Sequence, residues 1–311
     1  MTFAITFPGQ GSQTVGMLAG LLAEHDSVKE TFAEASHALG YDLAELVVNG
    51  PAEDLNQTWR TQPALLTASV AIWRLWQQQG GAQPSVMAGH SLGEYSALVC
   101  AGVLSLSDAV KLVELRGQLM QEAVPQGTGA MSAIIGLDND TIIANCVKAE
   151  EGEVVSAVNF NSPGQVVIAG NKAAVERANV LMKESGAKRA LPLPVSVPSH
   201  CALMRSAAEQ LEQTLAEMTF NEPSVPVINN VDVKQETSAA AIKDALVRQL
   251  YSPVRWTETV EIMVEQGVTL ALEMGPGKVL SGLAKRIDKR VEGLAVNDDA
   301  TLQQALAAVQ A

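Results

Sequence analysis

Ser85-Val86-Met87-Ala88-Gly89-His90-Ser91-Leu92-Gly93-Glu94 decides how the rest of this chain is read. Ser85 to Ala88 is a short apolar strand stopped by Gly89, and the spacing predicts a helix from about Glu94 to Ala101. Between them, Gly89-His90-Ser91-Leu92-Gly93 has the form G-x-S-x-G in the strand-to-helix setting that gives this pattern meaning. Glycines on both sides let the backbone turn sharply and hold the serine hydroxyl exposed at the carboxyl end of the strand. The amino end of the helix points backbone N–H groups at the same spot, which favours a developing negative charge. The plainer alternative is a glycine-rich turn whose serine caps the helix.

Working outward, Phe3 to Phe7 is a second short strand ended by Pro8-Gly9. Helical stretches run from Ser27 to Leu39 and from Gln62-Pro63 to Gln79. Strand, turn, helix, repeated, is α/β grammar. From 128 to 196 the pattern changes. Strands are predicted at Ala130–Leu137, Val154–Asn159, Gln165–Ala169 and Lys188–Val195, helices at Asp140–Ala149 and Ala173–Ser185, and a turn at Asn161-Ser162-Pro163-Gly164. That βαββαβ order is the split βαβ or ferredoxin-like unit. The large domain then resumes with a helix at Cys201–Met218, a strand at Val225–Asn229, helices at Ala241–Leu250 and Thr257–Gln266, and a strand at Thr269–Glu273. The expected organisation is a discontinuous catalytic domain, 1–126 and 195–311, with an insertion at 127–194.

The 311 residues, 47% of them hydrophobic, suffice for one large core and a smaller second one. A formal net charge of -13 argues against nucleic acid or an anionic membrane as partner. Cys100, Cys146 and Cys201 show neither paired spacing nor an even count, which fits a reducing compartment without disulfides or zinc. The beginning, Met1-Thr2-Phe3-Ala4-Ile5, has no basic leader, and no apolar stretch is long enough to span a bilayer. A cytoplasmic protein without a metal is expected.

A serine requires a base within hydrogen-bond reach. Of four histidines, His25 and His37 lie in polar helical contexts, and His90 adjoins the serine on a tight turn whose neighbours point apart. His200, in the loop Ser196-Val197-Pro198-Ser199-His200-Cys201, is the best candidate. An oxyanion needs two donors, and the residue after an elbow serine normally supplies one, here the Leu92 N–H. Pro8-Gly9-Gln10-Gly11-Ser12-Gln13 offers close-approaching amides for the other, with Gln10 preferred. That loop fails as a dinucleotide fingerprint because Thr14 stands where glycine is required. Gly275-Pro276-Gly277-Lys278 fails as a phosphate loop because Leu272 and Val279 stand where glycine and a hydroxyl are required. On the helix from Asp108 to Glu122, Arg116 falls on the apolar stripe of Ala109, Leu112, Val113, Leu119 and Met120. A buried guanidinium is costly without an anion. Either a protein carboxylate meets it or a substrate carboxylate does, held by the planar fork through two parallel hydrogen bonds. The second option points to a dicarboxylic acyl group.

Pro8-Gly9-Gln10-Gly11-Ser12-Gln13, Gln62-Pro63-Ala64, Gly89-His90-Ser91-Leu92-Gly93-Glu94-Tyr95, Arg116-Gly117, the stretch 159–164 and Pro198-Ser199-His200 together resemble the stand-alone bacterial malonyl-CoA:acyl carrier protein transacylases, essentially from end to end. The resemblance implies an α/β-hydrolase-like large domain with a ferredoxin-like insertion and a site in the gorge between them. It implies that Ser91 is acylated, that His200 serves as base and then acid, and that Gln10 and Leu92 form the oxyanion hole. Arg116 would hold the malonyl carboxylate, Gln62 would line the pocket, and Asn159 and Asn161 would line the cleft. A backbone carbonyl near Gln249 would orient His200 in place of an aspartate.

The implied reaction is a ping-pong exchange in which Ser91 takes malonyl from coenzyme A and the phosphopantetheine thiol of acyl carrier protein removes it. No cofactor is implied, since the coenzyme A thioester is a substrate. Lys285, Arg286, Lys289 and Arg290 form the densest basic cluster for an acidic carrier, with a solvated cationic helix face as the plainer alternative. A serine esterase or thioesterase is the nearest rival activity, and a non-catalytic carrier-docking subunit is a second.

Overall fold

The computed structural model describes residues 2–195 and 197–310, so Ser196 of the His200 loop lies outside the described residues. Five strands, β1 (Phe3–Phe7), β2 (Val86–Gly89), β7 (Val227–Ile228), β8 (Leu270–Met274) and β9 (Glu292–Val296), form a parallel sheet in the order β7-β2-β1-β8-β9. Both faces are covered, as a parallel sheet requires. Phe3, Ile5 and Phe7 point into the larger core, which they share with Trp76 and the helices Thr58–Gln78 and Leu106–Ala123. Ala4 turns to the opposite face, where Ala88, Ala271 and Val86 meet Trp256 and Val260 of the helix Trp256–Glu265.

A second sheet of four antiparallel strands, β3 (Gly129–Ile135), β4 (Val155–Ser162), β5 (Gln165–Asn171) and β6 (Arg189–Pro192), has the order β4-β5-β3-β6. With helices Asn139–Ala149 and Lys172–Glu184 following β3 and β5, this is the expected ferredoxin-like arrangement. The helices cover one face through Ile142, Cys146, Val175 and Met182. On the other face Met131, Val158, Val167 and Ala169 pack around Cys201, the residue next to His200. The small sheet thereby supports the loop that carries the histidine. The small sheet is also tied to the segment that leads into the helix Trp256–Glu265, where Val254 donates to Val158 O at 2.8 Å and Phe160 donates to Val254 O at 3.0 Å.

Several boundaries differ from expectation. The strand expected at Val225–Asn229 forms ladder pairs only at Val227 and Ile228, because Asn229 turns to bond Lys234. The helix expected to open at Gln62-Pro63 begins a turn earlier, at Thr58. Pro63 removes one amide from its second turn, and Gly117 lies so close that a Cβ there would come 2.6 Å from Trp59 Cα. β4 runs on to Ser162 through two register shifts, so the turn reduces to Pro163-Gly164.

Candidate active site

The register of β1 against β2 sets Phe7 beside Gly89, which lays the Pro8–Gln13 loop alongside the serine turn. His90 N donates to Phe7 O at 3.0 Å and fixes the two together. Close approach explains both motif glycines. A Cβ at Gly89 would lie 1.8 Å from the Gly93 carbonyl carbon, and one at Gly93 would lie 2.1 Å from Phe7 O. Ser91 itself has φ 53 and ψ -110, a strained conformation that lifts its side chain out of the turn. It opens the helix Leu92–Cys100 without capping it, which removes the plainer reading of this serine.

Ser91 Oγ lies 2.7 Å from His200 Nε2, and His200 Nδ1 lies 2.7 Å from the backbone oxygen of Gln249. A carbonyl only accepts, so the proton sits on Nδ1 and Nε2 is left to receive the serine proton. His200 is also held through its own N–H, which donates to Leu250 O at 2.9 Å. Burial and the nearby positive charge of Arg116 depress its pKa to about 3, so the imidazole is neutral at physiological pH.

Arg116 is fully buried on the helix Leu106–Ala123. Its Nη1 donates to Gln62 Oε1 at 2.7 Å, and its Nη2 donates to Gln249 Oε1 at 3.0 Å and to Ser91 Oγ at 3.3 Å. Among the described residues its Nε has no partner and none of the ion pairs includes it. Of the two options the sequence left open, the described residues therefore provide no protein carboxylate on the guanidinium. A cation this deep costs several kcal/mol unless an anion reaches it, and the fork is turned to the nucleophile.

The remaining candidates fall into three groups. Gln62 is buried, and its Nε2 donates to Thr58 Oγ1 at 2.9 Å, which in turn donates to the exposed Gln10 side chain at 3.1 Å. One chain of hydrogen bonds thus joins the Gln10 loop to Arg116. Leu92 begins its helix, so its N–H is among the amides that the first turn leaves free. Across the cleft, Asn161 Oδ1 lies 2.8 Å from His90 Nε2, and Asn159 Oδ1 is buried without a partner among the described residues. Lys285, Arg286, Lys289 and Arg290 are exposed and apart from these contacts. Arg290 is engaged by Asp288 at 2.6 Å.

Sequence reasoning missed Thr58, Asn230 and Glu94. Asn230 Oδ1 accepts from Ser91 N at 2.8 Å while its Nδ2 donates to Gly89 O at 2.7 Å, pinning both arms of the turn. Glu94 is buried in the first turn of the serine helix and accepts from Asn230 N and Gln249 Nε2. The signal for Glu94 was present, since a glutamate inside the apolar run Leu92-Gly93-Glu94-Tyr95-Ser96-Ala97-Leu98 needs partners.

A serine at a strained turn, a neutral imidazole against its hydroxyl and a buried guanidinium beside both define a serine acyltransferase that reads a charged acyl group. A family model described as acyl transferase domain matches residues 5–298. The malonyl CoA-acyl carrier protein transacylase of Haemophilus influenzae is 69% identical over 300 residues, covering 96% of each chain. A crystal structure of an acyl carrier protein S-malonyltransferase from Vibrio cholerae superposes with a TM-score of 0.96 at 71% identity, covering 98% of this chain and 99% of that one. A malonyl-transacylase solved in complex with its type II PKS acyl-carrier protein gives a TM-score of 0.98 at 64% identity, covering 99% and 100%. The chain belongs to the malonyl CoA-acyl carrier protein transacylase family.

Proposed function

We propose that this protein transfers malonyl from malonyl-CoA to the phosphopantetheine thiol of acyl carrier protein through a malonyl-serine intermediate, supplying fatty acid synthesis. The observation that carries the reading is Arg116, fully buried, without a carboxylate partner among the described residues and 3.3 Å from Ser91 Oγ. A monocarboxylic acyl group would offer no carboxylate to that fork.

Ser91 Oγ attacks the thioester carbonyl while its proton passes to His200 Nε2. The oxyanion is held by the backbone N–H groups of Leu92 and Gln10. When the C–S bond breaks, the imidazolium gives its proton to the departing coenzyme A sulfur. A base whose conjugate acid is this strong returns the proton readily. The carrier thiol then gives its proton to His200, attacks the ester, and Ser91 Oγ leaves with the proton. Gln62 and the Gln249 carbonyl hold Arg116 and His200 in place, and Asn159 and Asn161 line the cleft. Every group in this sequence is protein or substrate, so no cofactor is invoked.

The catalytic unit comprises 1–126 and 195–311, with 127–194 as the inserted unit, and we place the protein in the cytoplasm. No described helix is long and apolar enough to cross a membrane, and the three cysteines are buried and unpaired. The exposed Lys285, Arg286, Lys289 and Arg290 are proposed to meet the carrier's acidic surface. Charge reversal at Lys285 and Arg286 should raise the carrier's KM and flatten its salt dependence; unchanged values would remove this docking site.

An esterase with the same elbow is the rival reading. The rate of malonate release with and without carrier thiol separates them. Transfer to the thiol far faster than release to water is expected, and equal rates would establish a hydrolase.

A further inference from the structure

Glu94 is 2% exposed and lies three residues after the nucleophile, yet the acyl-transfer steps make no use of it. Its Oε2 accepts from Gln249 Nε2 at 2.8 Å and from Asn230 N at 2.9 Å. The same Gln249 amide presents its Oε1 to Arg116 Nη2 at 3.0 Å. A carboxylate only accepts and a guanidinium only donates, so the amide between them has one permitted orientation, and it links the two charges.

We propose that Glu94 is the counter-ion of Arg116, acting through the Gln249 side-chain amide, so that the guanidinium is balanced while its fork stays free of a protein carboxylate. A buried arginine needs a nearby anion, but a direct ion pair would occupy the fork that the substrate needs. Placing the anion one amide away meets both demands. Glu94 is thus a positioning residue, and the inference rests on Arg116 being the anchor of the malonyl carboxylate.

The other charged and titratable groups around Glu94 are Asp232, Tyr95 and, beyond Gln249, His200. Asp232 disfavours the carboxylate form, whereas Arg116 favours it. Burial outweighs that attraction and holds the Glu94 pKa at about 7, so the group can take a proton when a second carboxylate enters.

A merely structural cap and a counter-ion predict different outcomes for Glu94→Gln. The amide oxygen still accepts both hydrogen bonds, while the charge is gone. As a counter-ion, Glu94 competes with the substrate for Arg116. Its neutralisation should then lower the malonyl-CoA KM relative to the acetyl-CoA KM by roughly tenfold, and strengthen inhibition by free malonate to the same extent. An unchanged ratio, or one that rises, would overturn the proposal. Should Glu94→Gln not fold, the pair Arg116→Ala with Glu94→Gln removes both buried charges. Recovery of a cooperative melt is then expected, and failure to recover would contradict the coupling. Malonyl labelling of Ser91 in the unaltered protein tests the underlying activity separately.

Discussion

The Nδ1 of His200 lies 2.7 Å from the backbone oxygen of Gln249, in the place where many serine enzymes put a carboxylate. A neutral carbonyl orients the ring but gives an imidazolium little support, and Arg116 opposes the positive form further. With its pKa held at about 3, His200 stays a free base well below the ordinary histidine range. Inactivation of Ser91 by an uncharged sulfonyl fluoride should therefore change less than about twofold between pH 8 and pH 5. A loss of reactivity centred on the ordinary histidine pKa would show that the ring is not so depressed.

Arg116→Ala should remove both the buried charge and the malonyl anchor. Loss of charge-assisted hydrogen bonds worth about 2–4 kcal/mol lowers malonyl kcat/KM by roughly 30- to 1,000-fold. Activity on acetyl-CoA should rise relative to malonyl-CoA, and steady-state rates with both donors measure the change. A parallel fall for both donors would mean that Arg116 serves the fold and not the substrate.

Gly93→Ala tests the packing of the elbow. The added Cβ would meet Phe7 O at 2.1 Å and Phe7 C at 2.8 Å, both backbone atoms that cannot swing aside. Pushing the turn away from β1 should cost about 1–3 kcal/mol in denaturant unfolding and reduce Ser91 acylation, because the proposed oxyanion donors lie on the two separated segments.

Glu94 ties stability to pH. Its folded pKa of about 7 stands above the ordinary 4.5, so the folded protein keeps this proton after the unfolded chain has lost it. Stability from this group is present below pH 4.5 and is lost as pH rises through the folded pKa. Glu94→Gln does not titrate, so its stability relative to the parent protein should grow between pH 4.5 and 7 by on the order of 3 kcal/mol, then level off. Denaturant unfolding of both proteins across that range gives the difference, and a pH-independent one would contradict the raised pKa.

The parts of the site that the sequence revealed are those where one residue type answers one local demand. Ser91 was legible because Gly89 and Gly93 must be small where chain meets chain, and Arg116 because a charge interrupted an apolar stripe. The ferredoxin-like insertion was legible from alternating strand and helix periods. Asn230 and Thr58 were not, because their roles arise from contacts 139 and 48 positions apart, and Glu94 showed a charge in an apolar run while its partner Asn230 lies 136 positions away. The strand β9 and the closing helix Asp299–Gln310 were also missed. Glu292-Gly293-Leu294-Ala295-Val296 is short and only partly buried, and it becomes a strand through pairing with β8 at the sheet edge.

Intact-protein mass spectrometry after brief exposure to malonyl-CoA, without carrier, tests the central claim most directly. The protein should gain the mass of one malonyl group, Ser91→Ala should gain none, and addition of carrier thiol should restore the original mass. An adduct that persists in Ser91→Ala, or an unaltered protein that takes up no malonyl, would contradict a covalent transfer through this serine.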